Sequence, residues 1–207
     1  MDVVLLFPGW SGNSTNQNFN LLISNLITNE FSYEIVDYLH HDGSLKKVKT
    51  MDECLKNAES RLKEIRKSYS GNVDFIALGH SLGAIVLRML IERGNSFKEA
   101  IFAGGPHEGY LMRSYFWKLP IAFLLRVKII FDLAPGSDFL KSLGPLPEGT
   151  YIGSINDKKV SLKSAIPGNV KGLRLILLDC SHDMFPCERK KVKSSAIPLV
   201  IRRIGDL

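Results

Sequence analysis

The chain has 207 residues, of which 45% are hydrophobic and 23% charged, with a formal net charge of +6. That length suits one domain over residues 1–207 with a substantial core, and the composition is ordinary for a soluble globular protein. The positive charge favours anionic surfaces or substrates, but no zinc-finger spacing, aromatic RNA-binding signature or arginine-rich arm accompanies it, which argues against a nucleic-acid partner.

In chain order, Met1-Asp2-Val3-Val4-Leu5-Leu6-Phe7 lacks the basic start of a secretory signal and reads as a first strand over residues 3–7. Phe19, Leu22, Ile23, Leu26 and Ile27 mark one face of a helix, with Ser14 or Thr15 as its cap. Residues 33–38 read as a second strand. Met51, Leu55, Ala58, Leu62, Ile65 and Tyr69 recur at steps of three and four and predict an amphipathic helix. Residues 73–78 predict a third strand, 82–92 a helix that is apolar almost all round, and 100–103 a fourth strand. Residues 106–147 interrupt the alternation as an insertion. Its middle, 115–131, mixes large apolar groups with basic ones, which suits an acyl-binding cap or a peripheral membrane contact. Residues 150–154 and 173–178 read as the last strands, and a helix is expected between 188 and 204, limited or kinked by Pro198.

Strands alternating with helices predict an α/β fold: a mainly parallel sheet of about six strands, flanked by helices, with a helical cap-like insertion. No run is long and charge-free enough to span a membrane. The three cysteines, Cys54, Cys180 and Cys187, are too few for a disulfide framework, so a reducing, cytoplasmic setting is expected. Cys180, His182 and Cys187 match no zinc spacing and lack a fourth ligand, so neither a metal nor a cofactor is expected.

The chemistry centres on Gly79-His80-Ser81-Leu82-Gly83, a G-x-S-x-G pattern between a strand and a helix. Such a turn lifts the serine hydroxyl clear of the sheet beside backbone N–H groups. A serine needs a base, and the base needs a third group to hold its tautomer. His182 lies just past the last strand and Asp157 follows the fifth, so Ser81, Asp157 and His182 stand in the order nucleophile, acid, base, each at a strand's carboxyl end. His107, after the fourth strand, is the rival base. His40 and His41 follow the second strand as pocket or surface residues, and His80 is expected to point into the packing of the turn. Asp179 and Asp183 flank His182 and are poorly placed to turn it. For an oxyanion, the expected donors are the backbone N–H groups of Leu82 and of Trp10, in Phe7-Pro8-Gly9-Trp10.

With these residues in place, the chain resembles the α/β-hydrolase superfamily over nearly its whole length, particularly its small lipase- and esterase-like members. Gly79 to Gly83 matches the nucleophile motif. Phe7-Pro8-Gly9-Trp10 is similar to the His-Gly oxyanion loop with Pro8 in place of histidine. Ile152 to Val160 is similar to the acid loop, and Cys180-Ser181-His182-Asp183-Met184 to the histidine loop. The resemblance implies hydrolysis of a small-molecule carboxylic ester, acyl or lipid-like, through an acyl-enzyme. A thioesterase or acyltransferase would use the same three residues, and a non-catalytic binding protein would keep the sheet alone.

Overall fold

The computed structural model describes residues 1–10, 19–39, 48–110, 128–177, 180–185 and 195–207. Six strands form one parallel sheet: β1 (Asp2–Phe7), β2 (Ser32–Ile35), β3 (Asp74–His80), β4 (Glu99–Ala103), β5 (Gly149–Ser154) and β6 (Gly172–Leu177), in the order β2-β1-β3-β4-β5-β6. The described helices are α1 (Asn20–Thr28), α2 (Met51–Ser68), α3 (Leu82–Glu92), α4 (Ile129–Asp132), α5 (Asp138–Ser142), α6 (Leu162–Ala165) and α7 (Ile197–Gly205).

The inner strands β1, β3, β4 and β5 are mostly buried because both faces of the sheet are covered there, whereas the edge strands β2 and β6 are more exposed. Side chains alternate with period two. Val3, Leu5, Phe7, Ala77, Phe102 and Tyr151 pack with α2 and α3 in one core. Val4, Leu6, Ile76, Leu78, Ile101 and Ile152 pack with α1 and α7 in the other. Helix α2 starts at a capping box: Thr50 Oγ1 accepts from the Glu53 N–H at 3.1 Å, and the Glu53 carboxylate accepts from the Thr50 N–H at 3.2 Å.

Several elements differ from expectation: helix α6 is not expected from the sequence, and β3 runs through His80, past the expected end at residue 78. The second strand stops at Ile35, after which the chain dives inward and buries Tyr38 completely. The last helix begins at Ile197, with Pro198 in its first turn, where a missing N–H costs nothing; Pro198 starts this helix and does not kink it. The expected caps Ser14 and Thr15 lie outside the described residues, as do residues 186–194.

The strand order fixes the functional end of the molecule. The chain leaves β1 toward β2 on one side, and β3 lies on the other, so the order reverses between β1 and β3. In open α/β sheets, ligands bind beyond the carboxyl ends of the strands at such a reversal. Phe7 is aligned with Gly79 across β1 and β3, and His80 with Ala103 across β3 and β4. The segments after Phe7, His80, Ala103, Ser154 and Leu177 therefore emerge on one rim.

Candidate active site

Ser81 sits between β3 and α3 at φ 54°, ψ −119°, a conformation that L residues adopt only where the surroundings enforce it. The enforcement is close packing. A Cβ on Gly79 would lie 2.6 Å from the Gly83 carbonyl oxygen, and one on Gly83 would lie 2.1 Å from the Phe7 carbonyl oxygen. Only with both side chains missing does α3 rest on β1 and β3 closely enough to hold this turn. The Ser81 N–H donates to Ala103 O at 2.9 Å, tying the turn to β4. Leu82 is the first residue of α3, so its N–H has no acceptor within the helix.

The loop after β1 comes close to Ser81. A Cβ on Gly9 would be 3.2 Å from Ser81 Cβ. The Tyr38 hydroxyl donates to Pro8 O and anchors the loop from below. Trp10, half-buried, lines the same cavity as Ser81.

On the other side of Ser81 stand the loops after β5 and β6. Asp157 Oδ1 accepts from the Lys159 and Val160 N–H groups at 2.8 and 3.0 Å. Its Oδ2 is 2.7 Å from His182 Nδ1, and His182 Nε2 is 2.8 Å from Ser81 Oγ. The Asp157 side chain is fully buried. Burial alone would push its carboxyl up, but the hydrogen bond and charge of His182, with the two backbone N–H groups, outweigh this and hold it below the usual carboxylate range. A carboxylate only accepts, so Nδ1 carries the hydrogen, and in the neutral imidazole Nε2 accepts from the Ser81 hydroxyl. The loops are also joined directly: Ser154 Oγ, at the end of β5, donates to Cys180 O.

The structure thus brings together Ser81, Asp157 and His182 as one hydrogen-bonded chain. It does not bring in the rival base. His107 is buried, its ring edge-on to Phe102 and Tyr151 at 5.6 and 5.5 Å, and no hydrogen bond joins it to Ser81. It belongs to the core beside α3. His80 turns into the packing as expected, and there its Nε2–H donates to the His182 carbonyl at 2.9 Å. That contact, the Ser154 bridge and the Tyr38 anchor are positioning features that sequence reasoning missed. His40, His41 and Asp179 lie outside the described residues. Cys180 is buried, its thiol pushed up by burial to about 11. Among the described residues, no cluster of three His, Cys, Asp or Glu is placed to hold a metal; Cys187 is not among them.

A cavity of about 110 Å³ opens over Ser81. Its walls include Trp10, Leu82 and Tyr110, with Ile129, Ile130 and Leu133 from the inserted segment. The segment is tied down where Ile129 N–H donates to Lys49 O and Tyr110 N–H to Leu133 O, at 3.1 and 2.9 Å. Of the insertion expected over 106–147, residues 111–127 lie outside the described residues, and most of 115–131 with them. Among the described residues no helix is long and apolar enough to cross a membrane.

The family model for palmitoyl protein thioesterase matches residues 3–131, from β1 through Ser81 to the inserted segment. The chain belongs to the palmitoyl protein thioesterase family. It is an α/β-hydrolase and a hydrolase of esterase or thioesterase type. The family match includes Ser81, Leu82 and Trp10 and stops short of Asp157 and His182. No curated protein sequence matches the chain significantly. Solved structures share the fold at low identity. A lipase-esterase related protein from Clostridium acetobutylicum is 12% identical with a TM-score of 0.68, covering 99% of this chain and 93% of its own. Est1E from Butyrivibrio proteoclasticus, solved with ferulic acid bound, is 14% identical with a TM-score of 0.63, covering 100% and 87%. Alpha/beta hydrolase domain-containing protein 10 from mouse is 16% identical with a TM-score of 0.62, covering 99% and 88%.

The two buried histidines give this thioesterase-family chain a defined acid response. Burial, reinforced by His182, lowers His80 to about 4; burial, reinforced by Arg88, lowers His107 to about 3. Both stay neutral in the folded state while the unfolded chain takes up protons below its ordinary value of 6.5. Stability is therefore lost as pH falls from about 6.5, by about 5 kcal/mol for the pair at about pH 4.5. The Asp157 contribution, whose folded value is depressed, is lost only at still lower pH. Urea unfolding at pH 7 and 4.5 measures the loss. His107→Phe, which keeps a ring between Phe102 and Tyr151, should remove about half of it; a stability unchanged between the two pH values would contradict the assignment.

Proposed function

We propose that the protein cleaves acyl esters and thioesters with Ser81 as nucleophile, His182 as general base and acid, and Asp157 as the group that orients His182. The observation that carries the reading is the unbroken path from Ser81 Oγ through His182 to Asp157, with contacts of 2.8 and 2.7 Å, at the foot of an apolar cavity. Membership in a family described by palmitoyl protein thioesterase adds thioesters to the carboxylic esters that the motif suggests.

Ser81 Oγ attacks the acyl carbonyl as its proton passes to His182 Nε2. The charge on His182 is balanced by Asp157, which remains a carboxylate. The oxyanion is held by the backbone N–H groups of Leu82 and Trp10, at about 3 kcal/mol per donor. Collapse of the tetrahedral adduct breaks the bond to the thiol or alcohol, which leaves with the proton from His182. Water then attacks the acyl-enzyme with His182 again as base, and the carboxylic acid departs. The walls of Ile129, Ile130 and Leu133 suit an aliphatic acyl chain better than a polar one. The test is covalent trapping by a fluorophosphonate: it should modify Ser81 in the folded chain and leave Ser81→Ala unmodified.

A further inference from the structure

Lys159 is the one side chain with a fixed charge among the described residues that line the cavity over Ser81. No ion pair engages it among those residues. The position of Lys159 is not left to a loose loop. Its backbone N–H donates at 2.8 Å to Asp157 Oδ1, and the other oxygen of that carboxylate holds His182. The next residue, Val160, is fully buried and gives Asp157 a second N–H. The carboxylate that orients the histidine therefore also fixes where this lysine starts. An apolar cavity lined by one lysine, its backbone tethered and its ammonium without an ion pair among the described residues, is matched by a substrate with an apolar part and one negative group.

We propose that Lys159 is a specificity-determining residue that recognises a carboxylate or phosphate on the departing half of the substrate. The inference rests on the proposed roles of Ser81, His182 and Asp157. Lys159 belongs to the loop that carries Asp157, on the histidine's side of the serine. His182 would deliver its proton to the leaving group, so a lysine carried on the loop that orients His182 is placed to meet the half that departs, while the aliphatic walls receive the acyl chain. The chain's net charge of +6 acts in the same direction by drawing anions toward the surface.

The experiment uses the full chain and three octanoyl thioesters of matched size: that of 3-mercaptopropionate, that of its uncharged amide, and that of 2-mercaptoethyl phosphate. Released thiol is followed by a chromogenic disulfide. The charged probes should exceed the amide in kcat/KM by about threefold to fivefold, mainly through KM, as expected for a partly exposed ion pair. The advantage should shrink in high salt. Lys159→Gln should bring the ratio to about one, Lys159→Glu should push it below one, and Lys159→Arg should retain it. Comparison of the two charged probes separates a carboxylate from a phosphate preference. A wild-type ratio near one with turnover intact, or a ratio unmoved in Lys159→Gln, would overturn this inference alone. Absence of turnover with all three probes would overturn the hydrolytic reading and this inference with it.

Discussion

Asp157→Asn is expected to lower kcat by about 10⁴-fold while leaving the fold in place. The reason lies in how the carboxylate divides its work. Oδ1 accepts the Lys159 and Val160 N–H groups, and the amide oxygen of asparagine can take over that role. The amide nitrogen then faces His182 Nδ1. Being a donor, it forces the ring hydrogen onto Nε2, the atom that must accept the proton of Ser81. The variant should therefore keep its melting temperature within a few degrees and lose turnover of a medium-chain thioester. A kcat within tenfold of wild type would show that His182 does not depend on Asp157.

Gly83→Ala should be the most damaging single-methyl change near the site. The added Cβ would stand 2.1 Å from Phe7 O, 2.7 Å from Phe7 C and 2.8 Å from Pro8 O. All are backbone atoms of β1 and its loop, so no side chain can swing aside. Helix α3 must move off the sheet, at a cost of about 3 kcal/mol or more. For a chain of this size that is about 6–12 °C in Tm. The movement also separates Leu82 from the Trp10 loop, so activity should fall even where the variant remains folded. Gly168→Ala is the control: nothing lies within 4 Å of its Cβ, and its Tm should stay within about 2 °C. A wild-type Tm for Gly83→Ala would contradict the close packing of α3 on β1.

The strand–helix alternation was legible because burial on both faces leaves long apolar runs between amphipathic helices. The carboxyl ends of β1, β4 and β5 follow from the same runs, while β3 continues two residues past the expected Leu78, to His80, and β6 stops at Leu177. The second strand was overextended because periodicity records burial and not pairing: Tyr38 is as buried as any strand residue, yet it belongs to the turn that anchors Pro8. The reading of His107 as a rival base failed for a related reason. Its place after β4 puts its backbone near the rim, but Gly104 adopts φ 58° and the ring turns back toward Phe102 and Tyr151. Sequence position gives the strand end from which a side chain starts and not the direction it takes. The same limit hid the hydrogen bond from His80 to the His182 carbonyl, which joins residues 102 positions apart. Ser81, Asp157 and His182 were readable as candidates because G-x-S-x-G requires local geometry and the other two lie one strand end apart.

The most direct measurement of the central claim, that Ser81 is a nucleophile activated by His182, is fluorophosphonate modification followed by intact mass and peptide mapping. Stoichiometric addition to the peptide containing Ser81, with loss of thioester turnover in step, and no addition in Ser81→Ala or after urea unfolding, is the predicted result. A folded, turnover-competent chain that stays unmodified, or is modified at another residue while Ser81→Ala retains activity, would contradict it.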